Sequence, residues 1–342
     1  MSFRKGQVLR DRLARTAPRP GPDIAAGGAA AAWPIVASAQ EPKKPGRVGL
    51  LPLGSPSNAY DQSLVEAFRK GLRQTGLVES RDVMLDIVWT TGNPEQAVKA
   101  LLERGVDLLV SCGTSASLAA KLHASALPIV FISVGNPIGI GLVENLAHPG
   151  GNITGFSDIL ADLGGKQVDL ATELQRGRGP IDYFCYTGWA DGKNRLRLAQ
   201  EAAQSVGLEF RPWAVDQVSE LNDVIAAAKA VGAVALIVQP SPFTYQNRNR
   251  IIEITMKHGL PTIFAFTAAA REGALIAYGP DYLQMHGRAP FYVERILKGT
   301  RPADLPVEQL TRLDLLVNLS TAKTLGLEMP IALLIRADEL TE

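Results

Sequence analysis

With 342 residues, 46% of them hydrophobic and 20% charged, the chain exceeds one ordinary core and carries enough apolar material to fold without metals or staples. The balance of 35 basic against 34 acidic residues gives a formal net charge of +1. That removes the excess positive field that a nucleic-acid backbone or an anionic membrane surface requires, so nucleic acid is excluded as a partner.

The N-terminus departs from this balance. Arg4, Lys5, Arg10, Arg12, Arg15 and Arg19 stand against a lone Asp11, and Ile24 to Ala39 is almost purely small and apolar. Ala37-Ser38-Ala39 supplies the small-x-small pattern of a signal-peptidase site, so residues 1–39 read as an export signal cleaved after Ala39. Residues 40–45 then form a flexible polar start to a mature protein expected in the periplasm. No later segment approaches the roughly 18 uninterrupted apolar residues of a membrane span.

A first unit is expected over residues 46–155. Arg47 to Gly54 is a short apolar run ending in glycine, followed by a helical pattern with Leu64, Val65, Phe68 and Leu72 on one face. Gly105 to Ser111 and Leu127 to Ile132 are further apolar runs, continuous as in strands covered on both faces. A second unit over residues 156–280 repeats this grammar. Ile181 to Gly188 corresponds to Arg47 to Gly54, and its helix carries Leu196, Leu198, Ala202 and Val206. Gly232 to Val238 matches Gly105 to Ser111, Leu260 to Ala265 matches Leu127 to Ile132, and Gly273-Ala274-Leu275 matches Gly141-Leu142-Val143. The pattern predicts an internally duplicated α/β protein, two doubly wound parallel-sheet lobes joined by a hinge near Gly155 and Tyr278 to Asp281. Residues 281–342 are too short for a third domain and are expected to pack back on the first lobe and across the hinge.

Cys112 and Cys185 form no Cys-x-x-Cys pair, so neither a zinc site nor a disulfide framework is expected, and both read as small buried residues. No cofactor and no metal are called for.

Several segments together resemble one family. They are Arg47-Val48-Gly49, Gly113-Thr114, Pro128-Ile129-Val130-Phe131, Gly135-Asn136-Pro137, His148 to Gly155, Tyr278-Gly279-Pro280-Asp281, and the tail from Ile296-Leu297-Lys298-Gly299 to Ala337-Asp338-Glu339. In order and spacing they are similar to the ABC-transporter substrate-binding proteins of the tryptophan/tyrosine-type periplasmic family, over the whole chain from about residue 46. The resemblance implies a type I periplasmic-binding fold and a role in uptake. It also implies a small amino acid or related carboxylate as ligand and ABC permease subunits of the inner membrane as partners. The loop Thr187 to Gly192 departs from the family's Asn-Pro-rich sequence, so ligand identity does not carry over.

Ligands of doubly wound sheets bind beyond the carboxyl ends of the strands, which selects the candidate residues. Gly113, Thr114 and Ser115 open a helix after a buried strand, where backbone N–H groups and hydroxyls suit a carboxylate. Ser55 and Asn58 follow the first strand in the same way, and Gly135 and Asn136 lie in another strand-end loop. From the second unit, Trp189, Asp191, Gln239, Ser241, Phe264, Phe266 and Tyr278 lie at equivalent ends. Trp189, in a glycine-flanked loop outside any periodic apolar face, is expected to stack on a planar ligand.

Two rival functions, an enzyme and a regulator, find less support in the residues. His123, His148, His258 and His286 form no His-x-x-x-His or nucleophile-elbow arrangement, and no glycine-rich phosphate loop follows the first strand, so no catalytic residue is assigned. A ligand-sensing regulator would carry a helix-turn-helix ahead of the lobes, whereas the preceding residues are rich in proline and alanine.

Overall fold

The computed structural model describes residues 44–342 apart from 91, 159–162, 176–178, 189–191 and 311. The expected export signal, Trp189 and Asp191 lie outside the described residues.

In the first half, strand alternates with helix: β1 (Gly46–Leu51), α1 (Ala59–Gln74), β2 (Val83–Ile87), α2 (Pro94–Glu103), β3 (Leu108–Cys112), α3 (Thr114–His123), β4 (Ile129–Val134) and β5 (Ile153–Asp158). The second half repeats it with α4 (Leu163–Leu174), β6 (Ile181–Tyr186), α5 (Gly192–Ser205), β7 (Phe210–Val215), α6 (Leu221–Ala230), β8 (Leu236–Val238), α7 (Pro242–Gln246), α8 (Arg248–Lys257), β9 (Thr262–Phe264), α9 (Thr267–Arg271) and β10 (Ile276–Pro280). The remainder comprises α10 (Tyr282–Arg288), α11 (Pro290–Leu297), β11 (Glu308–Leu310), β12 (Leu313–Asn318), α12 (Leu319–Thr324), α13 (Ile331–Arg336) and β13 (Glu339–Thr341).

The strands form two sheets, ordered β2-β1-β3-β4-β5-β11 and β7-β6-β8-β9-β10-β12-β13. The first five strands of each sheet are all parallel and take the same doubly wound order, so the duplication read from sequence is present in the topology. One correspondence differs. Gly141-Leu142-Val143 is a turn, held by bonds from Leu142 N and Val143 N to the Pro137 carbonyl, and the strand that corresponds to β10 is β5. A three-residue apolar run has no periodicity with which to tell a turn from a strand.

Local sequence accounts for the elements. Helix α1 starts where the Asn58 side chain accepts from Asp61 N, and its Leu64, Val65, Phe68 and Leu72 are buried. Strands β3, β4 and β5 are buried at every position because helices cover both faces of the sheet, which is why they read as continuous apolar runs. Strand β5 stays in the first sheet to Asp158, past the expected boundary at residue 155.

The terminal segment serves both halves. Helices α10 and α11 pack on α1, β11 pairs with the edge of the first sheet at β5, and β12 and β13 extend the second sheet from β10. The chain passes between the sheets after Asp158, after Pro280 and between Leu310 and Leu313. One hydrophobic cluster runs from Val48 and Phe68 beneath the first sheet to Phe184 and Phe264 of the second.

Candidate functional site

The carboxyl ends of the two sheets meet around an open cleft. From the first sheet come Leu53 and Gly54 after β1, Thr90 after β2, Cys112 at the end of β3 with Gly113 to Ala116 after it, Ser133 in β4 with Gly135 and Asn136 after it, and Asp158 at the end of β5. Facing them are Arg195 on α5, Pro240 to Pro242 with Tyr245 and Gln246 after β8, Phe266 after β9, and Tyr282 after β10.

The β3–α3 turn is built for close approach. Gly113 has φ +84°, a left-handed conformation that favours glycine, and it caps a helix of ten residues without any side-chain acceptor. First-turn N–H groups have no partner within their own helix, so this end of α3 presents positive potential where Thr114 and Ser115 line the cleft. Beside it, β4 carries a bulge between Ile132 and Val134, and the intervening Ser133 has φ +59°. A serine held in the left-handed region at the cleft wall is local strain of the kind that collects at functional sites.

The opposite wall is aromatic. Tyr245 and Phe266 meet edge to face at 5.0 Å between ring centroids, and Tyr282 packs against both. Asp158 is 1% exposed. Its Oδ2 accepts a 3.1 Å bond from the Tyr282 hydroxyl, while Oδ1 has no partner. Burial raises its pKa to about 6, against the lowering effects of the Tyr282 bond and the field of Arg195.

Of the residues selected from sequence, Gly113, Thr114, Ser115, Gly135, Asn136, Ser241 and Phe266 line this cleft. Others do not. Ser55 N donates to Asp61 Oδ2, and Asn58, besides capping α1, donates from Nδ2 to Glu272 Oε1 at 2.7 Å, so both fix the loop after β1. Gln239 is fully buried: its Oε1 accepts from Tyr186 N and its Nε2 donates to Gly192 O, clamping the two ends of the β6–α5 loop. Phe264 is a fully buried core residue, because the period of two that pairs it with Phe266 ends with the strand. Tyr278 is half-buried against the cluster of Leu163 and Ala265. Both cysteines are buried, as expected, with thiol pKa values raised by burial.

Sequence reasoning missed Ser133, Asp158, Arg195, Tyr245 and Tyr282. Asp158 carried a usable signal, an acid closing a strand otherwise free of charge. Arg195 carried none, since nothing local distinguishes it from the exposed Arg197 two positions on.

Among the described residues no helix is long and apolar enough to cross a membrane, and no cluster of His, Cys, Asp and Glu suits a metal ion. Residues 58–341 match the family model described as ABC transporter substrate binding protein. A curated relative, the tyrosine-binding protein of Clostridioides difficile, is 24% identical over 77% of this chain and 76% of its own length. Among solved structures, an ABC domain in complex with L-Trp from Streptococcus pneumoniae is 23% identical with TM-score 0.77, covering 86% of this chain and 99% of that one. A conserved domain protein from Vibrio cholerae is 24% identical at the same TM-score, covering 87% of this chain and 100% of its own. Both share the two-lobed fold.

Proposed function

The chain belongs to the ABC transporter substrate binding protein family, and from that premise we propose that it is the periplasmic solute-binding component of an importer. In this reading it is exported by residues 1–39, cleaved after Ala39, and delivers its ligand to ABC permease subunits of the inner membrane. The ligand is a small carboxylate-bearing molecule, an amino acid with an aromatic or branched side chain. The observation that carries the proposal is the cleft between the two sets of strand ends, with the uncapped first turn of α3 on one side and the rings of Tyr245, Phe266 and Tyr282 on the other. The named ligands of the two relatives, tyrosine and L-Trp, support an aromatic amino acid.

Magnitudes define how the work divides. Burying an aromatic ring of roughly 150–200 Å² contributes about 4–5 kcal/mol, whereas micromolar binding needs about 8 kcal/mol net. Charge-assisted bonds of about 1.5–3 kcal/mol each supply the difference, and this reading assigns them to Thr114 and Ser115, which line the cleft. The same reading assigns Trp189 to the apolar part of the ligand and Asp191 to its polar groups.

A thermal-shift screen of the chain from residue 40 against the L-amino acids and aromatic carboxylates tests this. A ligand at 100 times its Kd adds about 2.7 kcal/mol of stability. Calorimetry should then show Thr114→Ala and Ser115→Ala weakening the ligand by about 1–3 kcal/mol per bond lost, and Trp189→Ala weakening aromatic ligands more than aliphatic ones. A chain stabilised by no carboxylate in the screen would reject the proposal.

A further inference from the structure

We propose that Tyr245 and Arg248 of the second half, meeting on Asp61 of the first, form a releasable latch that sets how readily the cleft opens. The Tyr245 hydroxyl is the positioning group that ties the cleft wall to the latch. The inference rests on the ligand-capture reading above for the closure that the latch regulates.

The bonds divide in a way that suits release. Within the first half, Asp61 Oδ2 accepts from Ser55 N at 2.8 Å, and Asp61 N donates to Asn58 Oδ1 at 2.9 Å. Within the second, Arg248 donates from Nε and Nη2 to the two oxygens of Glu272, at 2.5 and 3.0 Å, and from Nη1 to the Tyr245 carbonyl at 2.9 Å. Three bonds of the network cross between the halves. The Tyr245 hydroxyl and Arg248 Nη2 both donate to Asp61 Oδ1 at 2.9 Å, and Asn58 Nδ2 donates to Glu272 Oε1 at 2.7 Å. A buried guanidinium whose sole counter-ion lay in the other half would be stranded by opening, at a cost that would fasten the halves permanently. Here Arg248 keeps Glu272, while Asp61 keeps the Ser55 amide and turns its other oxygen to water. Parting the halves therefore gives up the crossing bonds and leaves no charge both buried and unpaired.

The position of the latch couples it to the cleft. Tyr245 lines the cleft with its ring edge to face on Phe266, while its hydroxyl lies on Asp61. From the first half, a Cβ built at Gly54 would lie 1.9 Å from Asp61 Oδ2, so the cleft-lining loop after β1 packs directly on the same carboxylate. Asp61 and Arg248 are almost wholly excluded from water, which strengthens their bonds while the halves are together. A molecule that holds the Tyr245 ring thus holds its hydroxyl on Asp61 and favours the closed arrangement; its departure frees ring and latch together.

Distances between spin labels test this on the ligand-free protein. Ile138→Cys and Val218→Cys place labels at exposed positions beyond the carboxyl ends of β4 and β7, one in each half, and the native cysteines are buried. Pulsed electron spin resonance should show short and long distances, closed and open. The closed-to-open ratio should fall about tenfold in Tyr245→Phe, which loses one bond to a charged group, and further in Asp61→Asn. Adding Tyr245→Phe to Asp61→Asn should then change little more, because both remove the same bond. Labels at Val78→Cys and Ile138→Cys, both in the first half, should keep one distance throughout, which a general loosening of the fold would not allow. Equal ratios in parent and variants would overturn the latch and leave the carboxylate-binding function standing. A fall in the ratio in a protein that no carboxylate stabilises would overturn the ligand class proposed above and keep the latch. Either variant decides alone, so misfolding of one leaves the other.

Discussion

Asp158 makes a prediction about stability that tells whether its charge serves the fold. Its folded-state pKa, about 6, lies above the ordinary 3.8, so the folded chain holds the proton more tightly than the unfolded chain. The neutral acid thus stabilises the ligand-free protein below pH 4, and this contribution is lost as pH rises to 6, to the extent of about 3 kcal/mol. Asparagine keeps the acceptor for Tyr282 and removes the charge. Asp158→Asn should therefore unfold several degrees above the parent chain at pH 7.5, and the gap should close toward pH 4. Differential scanning fluorimetry at the two pH values checks this; a variant less stable at pH 7.5 would mean that the carboxylate itself holds the fold. The expected trade, stability given up at a residue that lines the cleft, is a common mark of functional sites.

At the scale of elements, the contact between α1 and the returning helix α10 shows how the terminal segment is fixed. A Cβ built at Gly71 would lie 2.2 Å from Gly287 O and 2.8 Å from Pro290 Cγ, so the two helices approach through backbone and not through side chains. Gly71→Ala forces α10 outward and should cost about 1–3 kcal/mol, read as a lower urea midpoint at unchanged slope. Because Tyr282 begins α10 and donates to Asp158, the same change should weaken ligand binding without touching the cleft. The helical character of α1 was legible from the spacing of Leu64, Val65, Phe68 and Leu72. That Gly71 marks a crossing point was not, since its partner lies in a segment whose position only the tertiary fold fixes.

At the scale of the molecule, the two halves are joined beside the cleft by a buried ionic network. Arg248, 2% exposed, donates to Asp61 Oδ1 at 2.9 Å and pairs with Glu272 at 2.5 Å. Tyr245 donates to the same Asp61 oxygen at 2.9 Å, and its ring lies 4.4 Å from the Arg248 guanidinium carbon. Asp61 belongs to α1 of the first half, and Arg248, Tyr245 and Glu272 to the second. Burial raises the Asp61 pKa against the opposing field of Arg248, so the carboxylate depends on its partner to remain charged. Arg248→Met leaves Asp61 and Glu272 uncompensated and should destabilise the chain by about 3–5 kcal/mol in urea unfolding. Small-angle scattering should show the ligand-free variant more expanded than the parent chain, and ligand should reduce the radius of both. An unchanged radius in the variant would show that the network stabilises each half without holding them together.

The sequence by itself determined the class of fold and the strand ends at which the cleft opens. Continuous apolar runs, glycine-ended loops and amphipathic helices repeat across the chain because each half must cover a parallel sheet on both faces, and that demand falls on neighbouring residues. Strand ends named Thr114, Ser115, Ser241 and Phe266 for the same local reason. Only the tertiary structure decided that Asp158 would meet Tyr282, 124 positions away, beside Arg195, and that Phe264 and Gln239 would turn inward. Periodicity reports which face of an element is apolar; the chemistry of a cleft depends on which polar ends the connections bring to one place, and that is a property of the packed chain.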